Sequence, residues 1–400
     1  MSKGTGPLAG LRVLDIGTRI AAPFAAGLLA DFGAEVVKIE NPRGGDFMRA
    51  IGPFSEDYSL WWAVEGRGRK SITLDLRQAE GQELFRRLVP HFDVVVENFR
   101  PGTLEKWNIG PDVLDKIHPG LILSRVSVYG QTGPYRDRPG LDRNGIAMGG
   151  LLHLTGEADR PPVRPGIVLS DYLTGVFNAF SILVALFERD RASGKGQTID
   201  LSLYGSVLRI LEHTIAAHDR LGVVRGRYGN RVPNSAPLDN WQTLDGVYIS
   251  LVAAGDGLFP RLAKLIDRED LLTDSRFATA RARVENTDAI NRVVAEWCRT
   301  HTAAEIESLA VAGDVPFARA FTAEDIAQDP HIAARGDLAE VEDPVAGRIR
   351  MQGVYPRMSR TPGKVAGPAP ELGQHNAEVY GDLLGLGEEE ISALKDSGIL

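Results

Sequence analysis

The chain is nearly without cysteine: Cys298 stands alone in 400 residues. One thiol cannot close an internal disulfide, which excludes a disulfide-built scaffold and makes a reducing cytoplasm the expected location. Cys298 lies in the helix-like stretch AEWCRT with no basic cluster around it, so core packing is expected and not nucleophilic work. Basic residues are in deficit, 45 Lys and Arg against 53 Asp and Glu, for a net charge of −8 and no basic tail. That argues against a nucleic-acid partner and leaves any anionic ligand to local basic clusters. No run of about 18 apolar residues is present, so no membrane span is expected. The opening MSKGTGPLAGLRVLDIG has no apolar core of signal-peptide length.

Several catalytic signatures are also missing. The turn after the first apolar strand reads DIGTRIAAP and not G-x-G-x-x-G, so Glu40 has no dinucleotide loop to work with. There is no G-x-x-x-x-G-K-[ST], no G-x-S-x-G and no H-E-x-x-H. The eight histidines show no metal-ligand spacing, and His213 and His218 fall on different helix faces. Nicotinamide, P-loop, serine-hydrolase and zinc chemistries therefore lose support, and no metal site is expected.

What is present is ordinary globular composition, 43% hydrophobic and 24% charged, long enough for two domains. Apolar strand-like runs at 11–16, 35–39, 71–76, 92–97 and 121–129 alternate with helical spacing at 21–32 and 78–88. That alternation predicts an α/β fold with a parallel sheet covered on both faces. A Gly-, Pro- and charge-rich block at 130–166 reads as a long functional loop. A strong helix follows at 171–189, with Leu173, Val176, Phe177, Phe180, Val184 and Phe187 on one face. Residues 197–204 are strand-like and 205–221 read as one further helix. Composition shifts at 222–237, a linker into a smaller domain with a strand at 246–252 and helices at 257–265, 288–300 and 303–312. The chain turns Pro- and Gly-rich at 343–370 and ends in a charged helical segment, 376–400.

Three local features carry chemistry. Arg67, Arg69, Lys70 and Arg77 flank the strand at 71–76, where some could gather at one sheet edge and bind a polyanion. Asn98, Phe99, Arg100 and Lys106 follow the strand at 92–97, and ligands of open α/β sheets sit outside carboxyl strand ends. Asp171 stands on the threshold of the long helix. A carboxylate there is expected to stay ionised in the field of the helix N-terminus. It can cap the helix or attack a thioester, and spacing alone leaves both open.

Seven stretches in chain order then resemble one family. They are LADFGAEVVKIENPRGGD (29–46), GRKSITLDL (68–76), VVENFRPGTLEKWNIG (95–110), SVYGQTGPYRDRPGLD (127–142), TGEADRPPVRPGIVLSDYLTG (155–175), GKGQTIDLSLY (194–204) and ELGQHNAEVYGDLLGLGEEEISALKDSGIL (371–400). Together they resemble the family III CoA transferases, the CaiB/BaiF or formyl-CoA transferase-like family. The resemblance implies a Rossmann-like large domain with a parallel sheet, a smaller α+β domain, and an interlocked homodimer. The domains are then expected as 1–221 with 355–400 returning to it, a linker at 222–237, a small domain at 238–342 and a return linker at 343–354.

The resemblance also implies CoA transfer from an acyl-CoA to a carboxylic acid, with Asp171 as nucleophile and acyl-aspartyl anhydride and aspartyl-CoA as intermediates. Coenzyme A enters as substrate, and no permanently bound cofactor is expected. Family CoA contacts carry over to Leu74, Asp75 and Arg77, to Asn98, Phe99, Arg100 and Lys106, and near the thioester to Tyr129 and Gly130. The loop AAGDG, residues 253–257, is a candidate oxyanion hole. A Gln of the formyl-CoA enzymes is replaced by Ile20, and an Arg contact by Asn41; both argue against formyl-CoA. The racemases of the family place a His in a GHD motif where this chain has GLD, and Leu141 cannot transfer a proton. Intramolecular CoA transfer within one acid, an isomerase reading, stays open beside intermolecular transfer. Arg19, Arg143, Asn144, Arg164 and Arg231 lie in segments that could meet a second carboxylate on the substrate, whereas His153 and Met148 are expected to pack.

Overall fold

The computed structural model describes residues 5–400; residues 1–4, the head of the expected large domain and of the opening segment, lie outside the described residues. The chain divides into two compact units. The first comprises residues 5–151, Pro165–Ala216 and His331–Leu400, the second Leu152–Arg164 and Ala217–Pro330. Residues 331–342, expected in the small domain, thus fall in the first unit, and 152–164 in the second.

The first unit is built on a six-stranded sheet. Its strands are β1 (Arg12–Asp15), β2 (Glu35–Glu40), β3 (Lys70–Thr73), β4 (Val94–Glu97), β5 (Ile122–Ser127) and β6 (Gln197–Ser202). All neighbours pair in parallel, in the spatial order β3-β2-β1-β4-β5-β6. Alternate residues of each strand feed opposite cores, as the two-residue period of a strand requires. On one face Leu14, Val37, Ile72 and Val95 pack with Leu84, Phe85 and Leu88 of α2 (Ala79–Leu88) and with Val379 and Tyr380 near the C-terminus. On the other, Val13, Val36, Val94 and Val96 pack with α1 (Ala21–Asp31). Each fully buried Leu, Val or Phe contributes about 1.5–3 kcal/mol here. The edge strand β3 is covered by the C-terminal segment. Asn376 accepts the Thr73 N–H at 2.9 Å, and the Tyr380 hydroxyl donates to the Thr73 carbonyl at 2.8 Å.

Three sequence expectations change. The block at 130–166 contains two helices, α3 (Asp142–Met148) and Leu151–Leu154. The side chain of Asn144 accepts the Leu141 N–H at 3.0 Å and so starts α3 from a polar stretch. The expected helix at 205–221 breaks into Leu203–Arg209 and Thr214–Leu221, with Glu212 between them at φ +52°. The expected return linker at 343–354 is half of an antiparallel hairpin, Leu338–Asp343 against Gly347–Gln352. Asp343 accepts the N–H groups of Val345 and Ala346 and folds its Pro-containing turn.

The long helix α4 (Leu169–Glu188) starts two residues before Asp171. Among the described residues, the segment Leu169–Ser193 is long and apolar enough to cross a membrane by length and composition, contrary to the expectation of no such stretch. It packs against α1 through Ile182, Ala185 and Leu186 and buries the polar side chains of Thr174 and Asn178. Its expected apolar face is instead exposed at Val176, Phe180, Val184 and Phe187, with Phe180 64% accessible.

The second unit has its own core around a three-stranded antiparallel sheet of Leu238–Gln242, Tyr248–Val252 and Phe317–Arg319. Trp241, Ile249, Phe259, Ile290 and Ile306 pack there with Cys298. Burial pushes the Cys298 thiol up to about 12, consistent with the packing role expected for it.

Candidate active site

In a sheet ordered 3-2-1-4-5-6 the chain leaves the carboxyl ends of β1 and β4 in opposite directions, and the crevice between them is where such sheets bind ligands. Here that crevice is a cleft of about 290 Å³. Residues 16–19 after β1, Asn41 after β2, Leu74, Asp75 and Arg77 after β3 and Phe99 after β4 all line it.

The predicted CoA residues divide between two roles. Asn98 splints the two strand ends: its side-chain oxygen accepts the Thr18 N–H at 2.8 Å, and its amide donates to the Thr18 carbonyl at 2.7 Å. Phe99 meets Trp107 edge-on at 5.0 Å, which makes Trp107 a second aromatic of the lining that sequence reasoning passed over. Arg77 clamps the buried Asp75 through two bonds of 2.7 Å. That pairing holds Asp75 down at about 2. The Arg77 side chain stays half exposed at the cleft, free on its outer side to meet an anion. Arg100 and Lys106 are exposed and stand outside the lining, as do Tyr129 and Gly130 after β5. Gly130 takes φ +86°, and the next N–H, from Gln131, donates to Asp200 at 3.0 Å.

The expected basic patch does not form. Arg67 pairs with Asp31 at 2.9 Å, and Lys70 pairs with Glu35 and Glu378. Arg69 is buried against Asp15 at 3.1 Å. Only Arg77 of the four lines the cleft. The reason is that carboxylates on neighbouring elements meet the other three, which shared proximity in sequence does not reveal.

Beneath the cleft lies a buried charge network. Lys38 reaches Asp46 at 2.9 Å and Asp15 at 3.4 Å, and donates to the Gly17 carbonyl at 2.8 Å. Asp46 in turn accepts the Arg19 N–H at 3.1 and 3.2 Å. Arg19 is held at φ +63°, a conformation that ordinary side chains avoid. Its guanidinium carbon stands 4.0 Å over the Phe47 ring.

Asp171 is the third residue of α4, not its cap; Val168 holds the cap position without a side-chain bond. Its neighbours are tightly fixed. The Ser170 N–H and hydroxyl donate to one Asp142 oxygen at 2.9 and 2.8 Å. The Tyr172 hydroxyl donates to Glu65 at 2.9 Å and accepts from Trp61 at 3.1 Å, while its ring meets Phe24 of α1 edge-on at 4.9 Å. Gly175 lets α4 lie on the start of α1: a Cβ there would stand 3.1 Å from the Ala21 carbonyl oxygen. This close approach brings Asp171 beside the loop that carries Arg19.

The Asp171 carboxyl has no hydrogen-bond partner among the described residues. It retains partial surface exposure, but the protein around its head group desolvates it. Desolvation by burial first, then the charge of Asp142, push it up to about 7, against a downward pull from Arg19. Burial and a like charge thus work against the helix N-terminal field that was expected to keep it ionised. The second Asp142 oxygen is buried with no hydrogen-bond partner among the described residues.

Arg231 is committed to Asp239 and Asp288, and Asn144 to the start of α3. Arg143 and Leu141 are exposed, and so are Met148 and His153, against the expectation of packing. Ile20 is buried at the head of α1, and Asn41 accepts the Arg43 N–H. Arg164 and the 253–257 loop belong to the second unit. There the buried Arg283, unforeseen from sequence, donates to the Ala254 carbonyl and to Asp256, both at 2.8 Å. Open space surrounds Gly255 and Gly257.

The sheet thus carries a cleft at its switch point, and Arg19 of its lining bears on a carboxylate that has no hydrogen-bond partner among the described residues. Comparison with known proteins gives the family. Residues 8–376 match the family model described as CoA-transferase family III. The succinyl-CoA–D-citramalate CoA-transferase of Chloroflexus aurantiacus is 46% identical, with 98% of each chain covered. The succinyl-CoA:mesaconate CoA-transferase of Haloarcula hispanica is 36% identical, covering 96% of this chain and 97% of that one. A CaiB/BaiF family protein of Brucella suis superposes with a TM-score of 0.85 at 34% identity, over 95% of this chain and 100% of that one. The chain belongs to CoA-transferase family III, and its activity is the transfer of CoA from an acyl-CoA to a carboxylic acid.

Proposed function

We propose that this enzyme moves CoA between small dicarboxylic acids, with succinyl-CoA as donor, through covalent intermediates on Asp171. The observation that carries the reading is the Asp171 carboxyl itself, which has no hydrogen-bond partner among the described residues, is pushed up to about 7 by burial, and feels the charge of Arg19 from the cleft lining. A basic, unbonded carboxylate is the better nucleophile. The names of the relatives, transferases acting on citramalate, malate and mesaconate, support the substrate class.

The Asp171 carboxylate adds to the thioester carbonyl, the C–S bond breaks, and CoA leaves as thiolate. The thiolate attacks the aspartyl carbonyl of the resulting anhydride and expels the donor carboxylate, leaving aspartyl-CoA. The acceptor carboxylate displaces the thiolate to give a second anhydride. The thiolate then takes the acceptor acyl group and frees Asp171. Leu74, Asp75, Arg77 and Phe99 hold the CoA moiety in the cleft.

The same reading includes a homodimer in a reducing cytoplasm. The exposed apolar stripe of α4, Val176, Phe180, Val184 and Phe187, supports a partner subunit on that face. The strand order supports a Rossmann-like description of the first unit.

Incubation with succinyl-CoA and hydroxylamine, followed by peptide mass spectrometry, tests the mechanism. A hydroxamate on the Asp171 peptide is expected. Turnover of succinyl-CoA with no modification there, or near-normal turnover by Asp171→Ala, refutes it.

A further inference from the structure

We propose that Arg19 is the specificity-determining residue for the distal carboxylate of the acyl group. The inference rests on the dicarboxylate reading above and extends it to a named side chain.

The backbone at Arg19 is built, not incidental. A non-glycine residue at φ +63° persists only where its surroundings hold it. Here they do: the Arg19 N–H donates to both oxygens of Asp46, and Asp46 is pinned by the buried Lys38 at 2.9 Å. The preceding residue, Thr18, is locked from the other side by the two bonds to Asn98. Three strand ends therefore converge to set the position of one exposed arginine.

The side chain is left free. Most arginines near this sheet are neutralised, as Arg49 is by Glu40, Arg69 by Asp15 and Arg125 by Glu97 and Glu105. Arg19 has no carboxylate partner among the described residues. Its guanidinium lies against the Phe47 ring at 4.0 Å, which orients the plane without using its N–H donors. It lines the same cleft as Leu74, Asp75 and Arg77.

Its place relative to the nucleophile follows from the α1–α4 contact. Arg19 precedes α1, and Asp171 opens α4. The two helices are drawn together at Gly175 against the Ala21 carbonyl and at Tyr172 against Phe24. In keeping with that contact, the Arg19 charge lowers the Asp171 carboxyl against the upward push of burial and Asp142. A short dicarboxyl chain whose thioester carbonyl meets Asp171 extends its far carboxylate toward this cation. A guanidinium offers that carboxylate a paired, planar set of donors, which a monocarboxyl chain cannot use. Of the other candidates in the first unit, Arg143 is not in the cleft lining and Asn144 is spent on the helix start.

The test compares kcat/KM for succinyl-CoA and for butyryl-CoA, a chain of equal length without the second carboxylate. Arg19→Asn is the informative variant, because Asn tolerates the left-handed φ that the loop needs. Arg19→Lys keeps the charge but not the fork. For Arg19→Asn the succinyl-to-butyryl ratio is expected to fall about 10²-fold, while Arg19→Lys loses less, about 10-fold. Affinity for free CoA, by calorimetry, is expected to stay near wild type in both variants. Equal losses on the two donors, or a raised Kd for free CoA, overturn the proposal, since Arg19 then reads the CoA moiety or acts only through Asp171. A wild-type enzyme that is inert toward succinyl-CoA and is modified by other donors overturns the dicarboxylate reading itself, and the two failures are distinct.

Discussion

Replacing Asp171 by Asn should stabilise the fold above neutral pH while abolishing turnover. The Asp171 carboxyl titrates near 7 in the folded chain against 3.8 ordinarily, so the folded state binds its proton more tightly than the unfolded state does. Its contribution to stability is complete below about pH 4 and is lost as pH rises through about 7. A displacement of about three pH units corresponds to at most about 4 kcal/mol. Asp171 keeps part of its surface in solvent, so about 2 kcal/mol is the working figure. Asn cannot ionise, and no hydrogen bond of the Asp171 carboxyl is lost by the change. Urea denaturation of both proteins at pH 4, 5, 6, 7 and 8 reads the difference directly. The two should be alike near pH 4, diverge between 4 and 7, and differ by about 2 kcal/mol in favour of Asn at pH 8. Other raised carboxyls such as Glu97 titrate in both proteins and cancel in the difference. An Asn variant no more stable than wild type at pH 8, or a gap that does not change with pH, refutes the claim that Asp171 is held against its charge.

Two further perturbations probe what holds the site. Gly175→Ala places a Cβ 2.7 Å from Phe24 and 3.1 Å from the Ala21 carbonyl oxygen. A loss of about 1–3 kcal/mol is expected in melts. Single-turnover acylation should slow at the same time, because Asp171 and the Arg19 loop part; an unchanged acylation rate would separate that contact from catalysis. Lys38→Met leaves Asp46 buried without its cation and Asp15 with Arg69 alone. A loss of about 3–5 kcal/mol is expected, together with a raised KM for acyl-CoA as the 17–19 loop loses its anchor. Wild-type stability would show that the network is dispensable.

Much of the scaffold was legible because its signals are local. The parallel strands read correctly from β-branched runs such as VVVE and EVVKI, where burial on both faces removes the usual alternation. Leu74, Asp75, Arg77 and Phe99, expected from a resemblance that spans the chain, do line the cleft, and strand-end position alone already pointed to Phe99. What failed to read from sequence depends on contacts made across the fold. Arg67, Arg69 and Lys70 look like a patch until Asp31, Asp15 and Glu35 are seen beside them. The hairpin at 338–352 hides behind a proline that serves its turn. The apolar stripe on α4 was visible, but whether it faces the core or the surface is decided by α1, which packs on the other side.

The state of Asp171 is the sharpest instance, and it ties stability to chemistry. Position at a helix start argues for an ionised carboxylate, and a one-dimensional reading can go no further. Burial and Asp142, 29 positions earlier in the chain, oppose the field of that helix start. The terms that raise the carboxyl weaken the fold, yet they also make the anion more basic and hence a stronger nucleophile toward a thioester. Arg19 works in the opposite sense, favouring the anion at rest. In the proposed complex its charge is engaged by the substrate's distal carboxylate, which removes that support from Asp171. A dicarboxyl donor would then raise the basicity of the group that attacks it, whereas a monocarboxyl donor would leave Arg19 free to restrain it. In that complex the same cation would link recognition of the second carboxylate to activation of the nucleophile.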